Sequence, residues 1–133
     1  MATELVMLGY AILLGVVQLV LYAVPGIAQT GMSYALSPRD EDKPLGGVAG
    51  RLRRAFYNYL ETLPMFIGAV YVARSTGSVT EVSALGAQIY LWARVAYVPA
   101  YAFGVPVVRT LIWAASIVGI FMVLLPALPW AFS

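Results

Sequence analysis

Three short stretches carry the residues that could do chemistry. In the first, Arg51-Leu-Arg-Arg54-Ala-Phe-Tyr-Asn58-Tyr-Leu-Glu61, four polar residues recur at helical spacing. At ~100° per residue Arg51, Arg54, Asn58 and Glu61 fall within roughly 80° of one another, while Arg53 points elsewhere. In the second, Arg94, Tyr97 and Tyr101 share a face at i, i+3 and i+7. The third opens with Arg109 and Thr110, and Trp113 follows one turn on from Arg109. Cations with one carboxylate and several hydroxyls suit a small anion that also bears an ammonium group. Guanidinium forks match carboxylates, and a buried glutamate matches an amine. An arginine or hydroxyl at a helix N-terminus also stabilises a thiolate, because dipole and guanidinium both favour anions.

The elements that position these residues are set by composition. The chain is 62% hydrophobic and 11% charged over 133 residues, against ~45–50% and ~25% in a soluble domain. Its solvent must therefore be partly lipid. No residue from Leu5 to Pro38 is ionisable except tyrosine, and ~20 apolar residues cross a bilayer core. The apolar stretches predict one all-α transmembrane domain, 1–133, a membrane bundle with helices at about 4–35, 46–73, 80–104 and 106–128. Pro25-Gly26 predicts a kink late in the first. The charged, Pro- and Gly-containing run from Ser37 to Gly50 reads as a loop, and Arg74 to Ser78 as a turn. Gly104 and Pro106 mark a tight turn, and Pro126 and Pro129 end the fourth helix. Pro64 and Pro99 fall inside helices, which a bundle tolerates. Gly68, Ala69, Ala93 and Ala96 allow close helix approach.

Charge bias gives an orientation. Arg39, Lys43, Arg51, Arg53 and Arg54 gather at the first connection and Arg109 at the third, against Arg74 alone at the second. The first and third connections should be cytoplasmic and both termini should face away. Arg94 then lies ~15 Å below the cytoplasmic surface, and Glu61 lies ~15 Å below Arg51. A lone charge at that depth costs at least ~2.5–3.5 kcal/mol, so the two are expected to pair.

Other chemistry is excluded or unsupported. With no histidine and no cysteine, metal sites of His/Cys type, disulfides, protein thiol nucleophiles and Ser-His-Asp arrangements are out; no metal is expected. A net charge of +2 gives no reason to expect nucleic acid. Glu4 sits where a secretory leader has basic residues, and the apolar run is too long for one. Blander roles stand beside the site. The first-loop arginines can anchor lipid phosphate, Glu61 and Arg94 can be a purely structural pair, and Tyr97, Tyr101 and Trp113 can be interfacial aromatics. Against these stands the agreement in depth and face. Lipid anchors have no need of Asn58 or Glu61 beneath them.

The chain resembles the MAPEG family, membrane-associated proteins in eicosanoid and glutathione metabolism, and is most similar to its short bacterial members. The resemblance lies in Arg51-Leu-Arg-Arg-Ala-Phe-Tyr-Asn-Tyr-Leu-Glu-Thr-Leu-Pro64, Arg94-Val-Ala-Tyr-Val-Pro-Ala-Tyr101 and Pro106-Val-Val-Arg109. It implies a four-helix protomer, a homotrimer, a bacterial inner-membrane location, and glutathione as co-substrate bound between protomers near the cytoplasmic face. Arg54, Asn58 and Glu61 match the family motif R-A-x-x-N-x-x-E, and Arg94 and Tyr101 match its third-helix motif. Arg109 matches the arginine beside the glutathione sulfur, with Thr110 where some members have serine and Trp113 where some have tyrosine. Phe56, Tyr57 and Tyr97 depart from the His, Arg and His of prostaglandin E synthase-like members, and Gln29 stands where several place arginine.

The expectation is a glutathione-dependent transferase or peroxidase for lipophilic electrophiles that arrive through the bilayer. Arg109 and Thr110 would do the catalysis. Arg51, Arg54, Asn58, Glu61, Arg94, Tyr97, Tyr101 and Trp113 would bind glutathione. The alternative is a non-catalytic binding or scaffold protein of the same fold. A small exporter is a third reading, disfavoured because the one deep carboxylate has an arginine within expected reach.

Overall fold

The computed structural model describes residues 2–40 and 42–128. Five α-helices follow one another: α1 Thr3–Thr30, α2 Met32–Leu36, α3 Gly47–Ser75, α4 Glu81–Ala102 and α5 Pro106–Leu124. A 3-10 turn, Leu125–Ala127, completes α5, and no strand occurs among the described residues. Where the sequence reading has one helix over 4–35, there are two. Gly31 adopts φ 91°, a backbone open to glycine, and ends α1. The helix runs through Pro25, as α3 and α4 run through Pro64 and Pro99. Pro129, read as a terminator, lies outside the described residues.

Local chemistry sets the other boundaries. The Thr80 side chain accepts from the Ser83 N–H, and the Ser83 hydroxyl accepts from the Thr80 N–H, a reciprocal cap that starts α4. Pro106 occupies the first turn of α5, where its missing N–H costs nothing. Gly77 and Gly104, at φ 69° each, turn the chain between α3 and α4 and between α4 and α5.

The core is aromatic at its centre and small elsewhere. Tyr59, Phe66 and Tyr90 are fully buried. Phe66 stacks on Tyr90 at 4.2 Å between ring centroids. The Tyr90 hydroxyl shares a 3.0 Å hydrogen bond with Thr62, and the Tyr59 hydroxyl donates to the Ala11 carbonyl of α1. Ala11, Ala69, Ala73 and Ala87 fill the remaining contacts. α4 and α5 form the most extensive pair, joined where Gly86 and Gly119 put backbone against backbone.

Outside, the molecule is apolar. Leu13, Val16, Val20 and Val24 of α1 and Leu111, Val118 and Phe121 of α5 are exposed. Two segments, Thr3–Thr30 and Pro106–Ala127, are long and apolar enough to cross a membrane.

The helices alternate in direction, so one end collects the basic residues. There Gln29 bonds to Gly46, Arg51 to the Ala102 carbonyl and Arg54 meets Tyr101. At the other end Glu4 of α1 accepts a 2.7 Å hydrogen bond from Ser83 of α4, with both residues buried.

Candidate functional site

α3 and α5 bring cations to the basic end, and tyrosine rings of α4 stand between them. The Arg109 guanidinium lies over the Tyr101 ring at 4.6 Å, and that of Arg54 at 5.9 Å. Tyr97 and Tyr101 have ring centroids 5.7 Å apart, as expected one helical turn apart on one face of α4. Beneath them the Arg94 guanidinium lies 4.2 Å from the Tyr97 ring and 5.5 Å from that of Tyr59. Cations and π faces thus alternate from the interior to the basic end. Each such contact is worth ~0.5–1 kcal/mol when exposed and ~2 when desolvated.

Arg94 is 1% exposed. Its Nη2 donates to Asn58 Oδ1 at 2.9 Å, while Nε and Nη1 have no hydrogen-bond partner. This corrects the expected Glu61–Arg94 pair: no hydrogen bond joins them, and Glu61 is exposed on α3. Depth placed the two charges at one level, but direction around the helix decides contact. Asn58, a turn earlier on α3, is the residue that faces Arg94. Arg51 is drawn to the end of α4, where Nη1 donates to the Ala102 carbonyl at 3.2 Å. That bond satisfies one of the free carbonyls of a helix C-terminus.

The sequence-derived set therefore divides. Arg54, Asn58, Arg94, Tyr97, Tyr101 and Arg109 come together, with Arg51 alongside at Ala102. Thr110 does not join them, since its hydroxyl donates to the Pro106 carbonyl of its own helix at 3.0 Å. Trp113 is exposed on α5, and no aromatic or cation contact ties it to the cluster. Tyr97 is buried rather than open, at 4% exposure.

A second feature lies off the polar stripe. A cavity of about 520 Å³ opens at the basic end between α1, α2, the following loop and α3. Leu19, Ala23, Ile27 and Leu45 give it an apolar floor, and Arg39, Lys43 and Arg53 a cationic rim. Arg53, the arginine off the main stripe, donates through Nε and Nη2 to the Tyr57 hydroxyl at 3.0 and 2.9 Å. The Arg53/Tyr57 spacing of four residues was the available signal. Lys43 lies over Tyr34 at 5.0 Å, and Tyr22 packs against Phe56 and Tyr57. Beside it Gln29 ties the end of α1 to the loop with two 3.0 Å hydrogen bonds to the N–H and carbonyl of Gly46.

Among curated proteins no match was found. A family model does match, that of the MAPEG family, over residues 7–128. That span holds all the cations of the cluster and all five helices but the first few residues of α1. The two apolar membrane-length helices agree with it. The chain belongs to the MAPEG family.

Proposed function

We propose that this chain is a membrane-bound, glutathione-dependent transferase or peroxidase that acts on lipophilic electrophiles. The observation that carries the reading is the pair of guanidinium groups, Arg54 and Arg109, that two separate helices bring to the Tyr101 ring. Like charges gather in this way where an anion is to be held. The working unit is a homotrimer of membrane-spanning four-helix protomers, α2 being a short appendage. It lies in a bacterial inner membrane with the basic end cytoplasmic and both termini opposite. Glu61, on an outer face of α3, is directed to a neighbouring protomer and receives the ammonium group of glutathione bound there. A carboxylate left facing lipid at that depth would cost ~2.5–3.5 kcal/mol.

In this reading Arg51 and Arg54 hold carboxylates, and Arg109, in the first turns of α5, holds the sulfur. A free thiol titrates near ~8.5. Guanidinium and helix dipole together favour the thiolate. Its electron pair forms the new S–C bond with the electrophilic carbon. The displaced pair departs with the leaving group, or moves onto a conjugated acceptor and takes a proton from water. The apolar floor of the cavity at the same end supports a lipophilic second substrate.

The test is titration of the detergent-solubilised protein with glutathione, following thiolate absorbance, alongside conjugation of a broad electrophile panel. Arg109→Ala is expected to lower thiolate and rate together, the rate by ~10²–10³ as for loss of one anion-stabilising donor. Full retention of both by this variant would sink the mechanism. The absence of both binding and thiolate in the unmodified protein would remove the reading altogether. A second reading, a binding or scaffold protein of the same fold, is favoured by Thr110 and Gln29, whose polar groups are engaged within the chain. Tight glutathione binding without turnover of any electrophile would select it.

A further inference from the structure

Tyr101 meets the cationic cluster entirely through its ring. Arg109 lies over it at 4.6 Å, Arg54 at 5.9 Å, and Tyr97 packs against it at 5.7 Å. The three residues around it come from α5, α3 and α4. Arg54 is exposed and Arg109 half-buried. Long cationic side chains so placed would otherwise extend to water or lipid phosphate, and like charges would separate. The negative face of an aromatic ring opposes both tendencies. The two guanidinium carbons can then lie no farther apart than their two distances to the ring added together.

We propose that Tyr101 is a positioning residue, whose π face, not its hydroxyl, holds Arg54 and Arg109 together and so preorganises the anion site. Its kinetic consequence rests on the glutathione reading; its structural consequence does not. Preorganisation matters because a donor fixed beforehand does not have to be ordered when the anion arrives. The ring also links Arg109 to the buried end of the ladder through Tyr97, over which Arg94 lies at 4.2 Å. Three contacts in sequence therefore tie the surface cations to the protein interior.

The test compares Tyr101→Phe, which keeps a π face and loses the hydroxyl, with Tyr101→Leu, which loses both. Tyr101→Met is a second ring-free variant of different shape, used if the leucine variant does not fold by circular dichroism. Two readouts are taken on full-length protein in detergent. One is glutathione thiolate absorbance against pH. The other is the rate at which phenylglyoxal modifies Arg109 and Arg54, read by peptide mass spectrometry without glutathione. Loss of one cation–π contact of ordinary strength predicts about a tenfold fall in thiolate for the ring-free variant. Modification of both arginines should quicken severalfold. Tyr101→Phe should keep both glutathione-free modification rates within about twofold of the parent, since Phe and Tyr offer similar faces. If Tyr101→Phe quickens modification as much as the ring-free variant, the hydroxyl is what matters and the proposal is overturned. Unchanged modification rates in the ring-free variant overturn it equally. If the parent forms no thiolate while the modification pattern holds, the glutathione reading fails and the positioning role stands.

Discussion

The contact between α4 and α5 offers a sharp test, because both helices carry the site. An alanine methyl at Gly119 would lie 2.6 Å from the Gly86 carbonyl oxygen and 2.8 Å from the Tyr90 nitrogen. Ordinary contact begins near 3.4 Å, so the two backbones would have to part by roughly 0.8 Å at this point. Neither neighbour is a flexible side chain that could swing aside. Overpacking of this kind costs ~1–3 kcal/mol, at the upper end where backbone opposes backbone. Alanine returns ~1 kcal/mol through its better helix propensity. The net loss for Gly119→Ala is therefore about 1–2 kcal/mol, a ~5–30-fold fall in the ratio of folded to unfolded protein. Gly9→Ala is the control, since nothing lies within 4 Å of its added methyl; it should be neutral or gain up to ~1 kcal/mol. The assay is reversible unfolding in mixed micelles, titrated with sodium dodecyl sulfate and followed by far-ultraviolet circular dichroism. A Gly119→Ala protein as stable as its parent, or equal shifts for both variants, would refute the close-packing argument. The same displacement reaches the site. Gly119 lies ~15 Å along α5 from Arg109, so phenylglyoxal should also find Arg109 more reactive.

Three further outcomes are expected. Asn58→Leu, which takes from buried Arg94 its one hydrogen bond, should cost ~1.5–3 kcal/mol. Arg94→Met should cost less, because it removes the buried charge instead of stranding it; the order of the two unfolding midpoints checks this. Ser83→Ala loses the acceptor for the Thr80 N–H and the donor to Glu4, while the Thr80 hydroxyl still caps the N–H of residue 83, for ~2–3 kcal/mol in the same micelle titration. Glu4→Gln keeps an acceptor and should cost under ~1.5 kcal/mol. Gln29→Ala removes two hydrogen bonds to Gly46, for ~1–2 kcal/mol, and should speed proteolysis between Ser37 and Gly46.

Much of the helical pattern is legible in composition, because lipid-facing residues cannot be polar. The stripe on α3 is legible too, since its period is helical and its residues are rare in apolar surroundings. Pairing across helices is another matter. Glu61 and Arg94 share a depth, but a rotation of about 60° around α3 hands the contact to Asn58. Glu4 and Ser83 stand 79 residues apart, and neither is unusual in its own segment. The break at Gly31 depends on a positive φ that any glycine could adopt and most do not. Arg53 lies off the stripe, and its partner is Tyr57, four residues on along α3.

The hydrogen bond from Tyr59 to Ala11 fastens the first third of α1 to α3. Farther on, Pro25 leaves the Leu21 carbonyl without its helical donor. α1 is thus fastened at Ala11 and short of one backbone hydrogen bond at Pro25. The segment that follows, Gly26 to Thr30, lines the cavity beside α2, and the two hydrogen bonds between Gln29 and Gly46 tie it to the loop. Swung about Pro25 like a jaw, that segment would set the gape of the cavity without repacking Tyr59, Phe66 or Tyr90. Under the proposed function, breadth of substrate choice would then depend on how firmly Gln29 ties the last turns of α1 to the loop.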